Sequence, residues 1–494
     1  MGGSILGEIL AAKRRRVAAG EFTAATGAAA AAEVVAAAPS GAPAPPVTLP
    51  DGMRFAAALH PSSPSESSSS SFLCEIKHRS PSAGAMLSDA DARIEDVACA
   101  YRRGGAGALS VVIEQDHFGG DPAWLPRAKR ASGLPALMKD FVVDERQLDF
   151  AAALGADAVL LIVAALADAD LARLHAAARA RGLAVLVEAH DEAEVRRAST
   201  LGAKIVGVNS RDLSTFAVDL AGMARLGALL PENAVRVAES GIRTRADVEA
   251  LRTAGYGAFL VGETLLRSSD PARTLRELRG ENATEVKICG VTREEDVDAC
   301  LSNGVDWIGL IFAKRSPRCL TPERGRLLAM RARGEGDRPG AVRGVVAVFD
   351  ESASEDEIRA VISVVRPDVI QMPVPPSSPS RKFFSSDLPL WNTVRVGRDD
   401  VGGVGNRAGA ALHFDTSVAG AAGGTGKTFD WSLLDGLDRS RPFVLAGGLR
   451  PANVAGAVRR VRPDVVDVAS GVESSPGAKD PEKVAAFVRE VRRA

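Results

Sequence analysis

Short apolar runs recur along the chain, separated by stretches in which apolar residues return at helical spacing. From residue 72 onward the runs fall near 72–77, 108–114, 135–139, 158–163, 184–189, 204–209, 235–240 and 258–263. A second series falls near 285–289, 307–312, 343–349, 369–372, 391–396, 411–415, 442–446 and 465–470. Between them lie segments such as DLARLHAAARARG at 170–182, whose Ala/Leu/Arg pattern is helical. Strands that alternate this regularly with helices imply a parallel sheet. Eight units per series imply closure, so the pattern predicts an α/β protein of two tandem (β/α)8 barrels. The first is expected within 1–280 and the second over 285–494, with the hydrophilic GENATE as the bridge. ILGEILAAKRRRV at 5–17 reads as a short amphipathic helix ahead of the first barrel. Residues 24–50 are almost all Ala, Gly and Pro and 61–71 mostly Ser, too poor in apolar bulk to pack. The whole stretch 24–71 is therefore expected to be mobile surface or linker, and its deletion to be tolerated.

Composition narrows the classes. A chain of 494 residues exceeds one ordinary domain, and 46% apolar residues supply two cores. With 61 basic against 62 acidic residues, and only two tyrosines, nothing points to a nucleic-acid or polyanion partner. The five cysteines, Cys74, Cys99, Cys289, Cys300 and Cys319, form no CxxC framework, which fits a reducing compartment and a cytoplasmic protein. The longest apolar stretch, 158–172, is broken by acids before it could span a membrane. The KRRR run has no apolar region after it, so no secretory leader is read there.

Candidate chemistry gathers where the strands end, the functional face of such barrels. Ser240–Gly241 and Gly447–Gly448 follow the seventh strands; Gly262 follows one eighth strand and Gly471 the other. Without a Cβ, backbone N–H groups can close on an anion, so a phosphate is expected at both mouths. GGTGKT at 423–428 is not a nucleotide loop, because Ala421 occupies the required first glycine position. In the first barrel Glu75 and Lys77 lie two apart and face the interior together. Lys139, Glu188, Asn209, Glu239 and Ser240 end other strands, with Arg211 just beyond. Inward charges at a barrel mouth are costly unless paired or used; a purely structural ion-pair ring is the other reading. In the second barrel Cys289 ends the first strand and Asp415 the sixth. A buried cysteine is often inert, and such an aspartate often only caps a loop.

The motifs ExKxxSPS at 75–82, LPALMKDF at 134–141, VGVNSRDL at 206–213 and VAESGI at 237–242 resemble indole-3-glycerol phosphate synthase. The resemblance implies closure of the indole ring of carboxyphenylamino-deoxyribulose phosphate with loss of CO2 and water. It implies Lys139 as general acid, with a pKa lowered by nearby cations, and Glu188 as general base. Glu75 and Asn209 would assist and orient. Lys77 and Arg211 would meet the substrate's carboxylate or phosphate. Ser80 and Glu239 would complete the pocket, and Phe118 would flank the aromatic ring, ordinary packing being its other reading. Ser240, Gly241, Gly262 and Glu263 would hold the phosphate.

KICGVTREED at 287–296, RSPRCLTPE at 315–323, LAGGLRPANV at 445–454 and VDVASGVESSPGAKD at 466–480 resemble phosphoribosylanthranilate isomerase. That resemblance implies an Amadori rearrangement without metal or cofactor. Cys289 would be the base, as thiolate, and Asp415 the acid, with a raised pKa. Arg318 would meet the anthranilate carboxylate; Gly447, Gly448, Ser470 and Gly471 the phosphate; and Asp467 would support the last strand. Where the family usually has Gln-Leu-His-Gly at the end of strand four, this chain has Gln371, Met372 and Pro373. The leading expectation is a bifunctional enzyme acting on small phosphorylated substrates. An active synthase carrying a decayed second barrel is the alternative, and a pair of non-catalytic phosphate sensors a third. Oligomeric state stays open, a monomer being one reading.

Overall fold

The computed structural model describes residues 5–36, 51–60, 71–81, 84–87, 90–211, 218–334, 341–374, 388–396, 409–416, 428–435 and 441–494. It divides into two compact units, Met1–Gly280 and Glu281–Ala494. Each contains one closed, all-parallel barrel of eight strands in sequential order.

The first barrel comprises β1 (Ser71–Ile76), β2 (Ala108–Val112), β3 (Ala136–Lys139), β4 (Ala158–Ile162), β5 (Ala184–Ala189), β6 (Ile205–Asn209), β7 (Val235–Glu239) and β8 (Ala258–Val261). Its closure pairs β1 with β8, Leu73 opposite Leu260. The second comprises β9 (Glu285–Cys289), β10 (Trp307–Ile311), β11 (Gly344–Val348), β12 (Val369–Met372), β13 (Leu390–Val396), β14 (Ala411–Thr416), β15 (Phe443–Leu445) and β16 (Val465–Val468). Its closure pairs β9 with β16, Lys287 opposite Asp467. These strands coincide with the apolar runs to within a residue or two at most ends.

Alternation sorts the side chains into two cores per barrel. On β1, Phe72, Cys74 and Ile76 face the surrounding helices, while Leu73 joins Leu137, Leu160, Leu186, Val237 and Leu260 inside the barrel. In the second barrel Val286 and Ile288 face outward, and Val346, Val369, Trp391 and Val444 fill the interior. Both strand faces are covered, which is why the runs are nearly continuous in apolar residues.

The reading of 24–71 as mobile surface or linker is corrected for residues 24–36 and 52–59. After α1 (Ile5–Ala18) come α2 (Ala24–Ala36) and α3 (Gly52–Leu59). Alanine, the strongest helix former, carries α2. Its Gly27 meets the helix Arg146–Leu154 so closely that a Cβ would come within 2.5 Å of the Phe150 carbonyl oxygen. The preceding Phe22 packs edge-on to Phe150, with ring centroids 5.3 Å apart. In α3, Phe55 and Leu59 are fully buried in the interior cluster of the first barrel. Gly52 makes that approach possible, since a Cβ would meet the backbone of Gly182 and Ala184 at 2.7 and 2.5 Å. Residues 37–50 and 61–70 lie outside the described residues, as does nearly all of GGTGKT.

Helix α1 is fixed by one buried ion pair. Lys13 Nζ lies 2.7 Å from Asp140 Oδ1, the two side chains 1% and 0% exposed. Its ammonium also lies 4.9 Å from the centre of the Phe22 ring. Removing one partner of such a pair costs far more than the pair itself contributes, because a buried charge is left uncompensated. Lys13→Met is therefore expected to destabilise the first unit by about 3 kcal/mol. Hydrogen exchange in urea, which reads the two units separately, checks this; unchanged protection around Asp140 would contradict it.

Candidate active sites

A cavity of about 440 Å³ opens at the C-terminal end of the first barrel. Every residue nominated there from sequence lines it: Glu75, Lys77, Ser80, Phe118, Lys139, Glu188, Asn209, Arg211, Glu239, Ser240, Gly241, Gly262 and Glu263. At its centre Lys139 Nζ donates to Glu188 Oε2 and to Glu239 Oε2, both at 3.1 Å. Lys77 is paired with Glu75, and Asn209 Oδ1 accepts from the Arg211 N–H at 3.1 Å. Phe118 faces Phe141, ring centroids 6.3 Å apart.

Glycine makes room here as much as turns. A Cβ on Gly262 would come within 2.7 Å of Glu75 Oε1, and one on Gly207 within 2.0 Å of Glu239 Oε1. Ser240 adopts φ 69°, left-handed backbone that a serine rarely takes, followed by Gly241 at φ 78°. Strain of this kind concentrates at functional loops, and it turns the Ser240–Gly241 backbone at the cavity wall.

The expected lowered pKa of Lys139 is corrected. Burial alone works against its charge, but Glu188, Glu239 and Glu75 outweigh burial and hold it above the ordinary lysine range. Burial pushes Glu75 up, yet Lys77 and Lys139 bring it below its usual value. Glu188 is likewise raised by burial and then driven lower by Lys139 and His190. Burial wins at Glu239, reinforced by Glu188, and its carboxyl is pushed up to about 8.

Several contributors were given no role from sequence, among them Glu114, which ends the second strand. Asp140 and Phe141 line the cavity directly after Lys139. Glu114 accepts the backbone N–H groups of Asp116, His117 and Phe118 at 3.2, 2.8 and 3.0 Å, shaping the loop that carries Phe118. Arg79 N donates to the Phe118 carbonyl at 3.2 Å, tying that loop to the one after β1. His190 stands beside Glu188 at 3.4 Å.

In the second barrel alternation puts Lys287 and Cys289 on the inner face of β9, and His413 and Asp415 on that of β14. The two strands meet at Asp467 of β16. Its Oδ2 accepts from Lys287 Nζ at 2.6 Å and lies 2.8 Å from His413 Nε2. Asp467 thus does more than support its strand. Gln371 lies against His413 at 3.3 Å. The chain after it is anchored by reciprocal 2.9 Å bonds between Asn392 and the Val374 backbone. The altered segment at Met372 and Pro373 therefore leaves a closed barrel with an ordered β12.

Burial raises the Cys289 thiol pKa; Lys287 opposes this without reversing it. Burial also raises Asp415, against the pull of His413. Arg318 is engaged within the protein, its Nε and Nη2 donating to the Glu473 carboxylate at 2.7 and 2.6 Å. Lys479 holds Glu473 at 2.9 Å and donates to the Cys289 carbonyl at 2.6 Å. Gly447 and Gly448 both take positive φ. Ser470 and Gly471 sit in a 3-10 turn, Gly471 so close to the Leu449 carbonyl that a Cβ would fall 2.0 Å from it. Lys287 and His413 were legible in principle, each two residues from a nominated group on the same strand.

The fold and its two mouths define a tandem (β/α)8-barrel protein with acid–base groups at both. The family model "Indole-3-glycerol phosphate synthase" matches residues 46–278. The model "N-(5'phosphoribosyl)anthranilate (PRA) isomerase" matches residues 286–490. The tryptophan biosynthesis protein TrpCF of Yersinia pestis is 34% identical, the match covering 85% of this chain and 84% of that one. The indole-3-glycerol phosphate synthase of Koribacter versatilis is 47% identical over 42% of this chain and 79% of its own. The multifunctional tryptophan biosynthesis protein of Schizosaccharomyces pombe is 34% identical over 85% of this chain, which spans only 59% of that longer relative. The chain belongs to the family of fused indole-3-glycerol phosphate synthases and phosphoribosylanthranilate isomerases.

One close approach in the second site is open to test. A Cβ on Gly309 would sit 2.7 Å from Cys289 Sγ and 3.1 Å from Lys287 Cε. Gly309→Ala must push the thiol from its place beside the ammonium that favours thiolate. Alkylation of Cys289 by iodoacetamide is expected to slow by about tenfold, one pKa unit of lost thiolate. An unchanged rate would show that the sheet yields instead.

Proposed function

We propose that the chain catalyses two consecutive steps: the second barrel isomerises phosphoribosylanthranilate, and the first closes the indole ring of the product. The observation that carries this reading is Lys139 held between Glu188 and Glu239 in a cavity whose rim offers Ser240, Gly241 and Gly262 to an anion.

In the second barrel Asp415 enters protonated, as its raised pKa favours, and gives its proton to the ribose ring oxygen. Burial raises the Cys289 pKa, so the thiol must first be ionised, with Lys287 favouring the thiolate; the thiolate then removes the proton from C2′ of the opened imine. Gly447, Gly448, Ser470 and Gly471 offer backbone N–H groups to the phosphate. Arg318 acts through Glu473 unless the substrate's carboxylate displaces that partner.

In the first barrel Lys139 enters as the ammonium and protonates the ketone oxygen as the ring carbon attacks. Glu188, ionised, serves as base in the dehydration. Glu75 pairs with Lys77, and Lys77 with Arg211 meets the substrate's carboxylate and phosphate. Asn209 orients Arg211, and Phe118 with Phe141 borders the aromatic ring. No disulfide joins the five cysteines, all of them among the described residues, which supports a reducing, cytoplasmic setting; among the described residues no helix is long and apolar enough to cross a membrane.

Purified chain should consume phosphoribosylanthranilate made in situ, seen as decay of its fluorescence, and form indole glycerol phosphate. Cys289→Ala is expected to lower isomerase turnover at least about 10²-fold and leave the synthase intact, and Lys139→Met to do the reverse. Isomerase turnover that survives Cys289→Ala would refute the assignment. Synthase without isomerase in the unaltered chain would favour a decayed second barrel.

A further inference from the structure

Resting on the synthase reading, we propose that His190 is a positioning residue that decides which of Glu188 and Glu239 keeps a proton. It leaves Glu188 as the ionised base and Glu239 as the proton-bearing partner.

The problem it solves is one of charge. Glu75 is committed to Lys77, so the single ammonium of Lys139 must serve both Glu188 and Glu239, each at 3.1 Å. Both carboxylates are almost fully buried. Two such groups on one cation do not both ionise freely, and their protons come off as a pair. In symmetrical surroundings the pair would have no fixed base.

The surroundings differ on the two sides. Beside Glu188, His190 Nε2 stands 3.4 Å from Oε1. The other ring nitrogen lies 3.0 Å from Glu194 Oε2, which also accepts the His190 backbone N–H at 2.8 Å. Glu194 is fixed in the helix Glu192–Thr200, whose N-cap Asp191 accepts the Glu194 N–H. The ring is hydrogen-bonded through Nδ1 alone, while Nε2 makes no hydrogen bond but has the Glu188 carboxylate beside it; a carboxylate near each nitrogen is the setting that favours imidazolium. Among the described residues no such group stands beside Glu239. Its Oε1 is buried, makes no hydrogen bond and faces the bare backbone of Gly207. The charged groups around the pair are Lys139 from β3, Glu75 with Lys77 from β1, and His190 and Glu194 from β5 and the helix after it; Arg211, Arg243 and Arg267 line the same cavity.

The protonation tendencies agree with this geometry. Burial alone lowers His190, but Glu188 and Glu194 raise it to about 10. Glu188 falls and Glu239 rises to about 8. Near neutral pH the cluster therefore holds a charged histidine, an ionised Glu188 and a protonated Glu239.

His190→Gln tests the idea in the full chain, with isomerase turnover as an internal control for folding. Loss of the imidazolium raises the pKa of Glu188, so the acid limb of the synthase kcat profile should move up by about 1 pH unit or more. His190→Lys should bring it back, and Glu194→Gln should move it in the same direction by less. An acid limb that stays put in His190→Gln, any loss being equal at all pH values, would leave His190 a structural role only. If the unaltered chain shows no synthase turnover, the functional reading fails separately and the pair is read without substrate. Infrared titration of chain labelled with 13C-glutamate should then show a protonated carboxyl that Glu239→Gln removes and Glu188→Gln does not. The reverse pattern would overturn the inference.

Discussion

A charge placed inside a closed barrel must be balanced inside the same barrel, because eight strands and their helices leave no water beside it. Both halves obey this constraint in the same way. Their lower interiors are apolar, built on Leu73, Leu137 and Leu186 in one and Val346, Trp391 and Val444 in the other. Above that layer inward charges meet their opposites, Lys77 with Glu75 on its own segment and the others across strands: Lys139 with Glu188 and Glu239, Lys287 with Asp467. Reactive groups then sit on top of a balanced layer, where a small imbalance decides which group holds a proton. Function in each barrel is what remains after the charges have been matched.

The strands were legible because coverage on both faces makes them nearly continuous apolar runs. The mouth residues were legible because strand alternation fixes their direction. What the sequence could not show was pairing across the barrel. Lys139 was expected among cations, whereas its neighbours come from strands 49 and 100 residues further on, and they move its pKa the opposite way. Arg318 was likewise read as free to meet a ligand, while Glu473, 155 residues away in sequence, already occupies it. His190 and His413 passed unnoticed because a lone histidine signals little until its neighbours are known. Each lies two residues from a nominated carboxylate, a spacing that in a strand means a shared face.

The stretch before β1 was misread for a different reason. Low complexity was equated with lack of structure, yet an alanine run needs only a surface to become a packed helix. The surface is the helix Arg146–Leu154, and the tight approach at Gly27 works because glycine has no Cβ to meet the Phe150 carbonyl and ring. Phe55 and Leu59 were the visible clue in α3: two large apolar residues in an otherwise modest segment.

Helix α3 also bears on the order in which the first unit can be completed. Its residues leave the ribosome before any barrel strand, but the helix packs on β1, β2 and β5, and the Gly52 N–H donates to the Gly182 carbonyl just ahead of β5. That strand is made about 130 residues later. Until β5 arrives Phe55 and Leu59 have only part of their burial site, so a segment made before every strand is secured only after five of them. The base of the barrel is closed by its own beginning, and a nascent chain halted before β5 would expose that apolar pair.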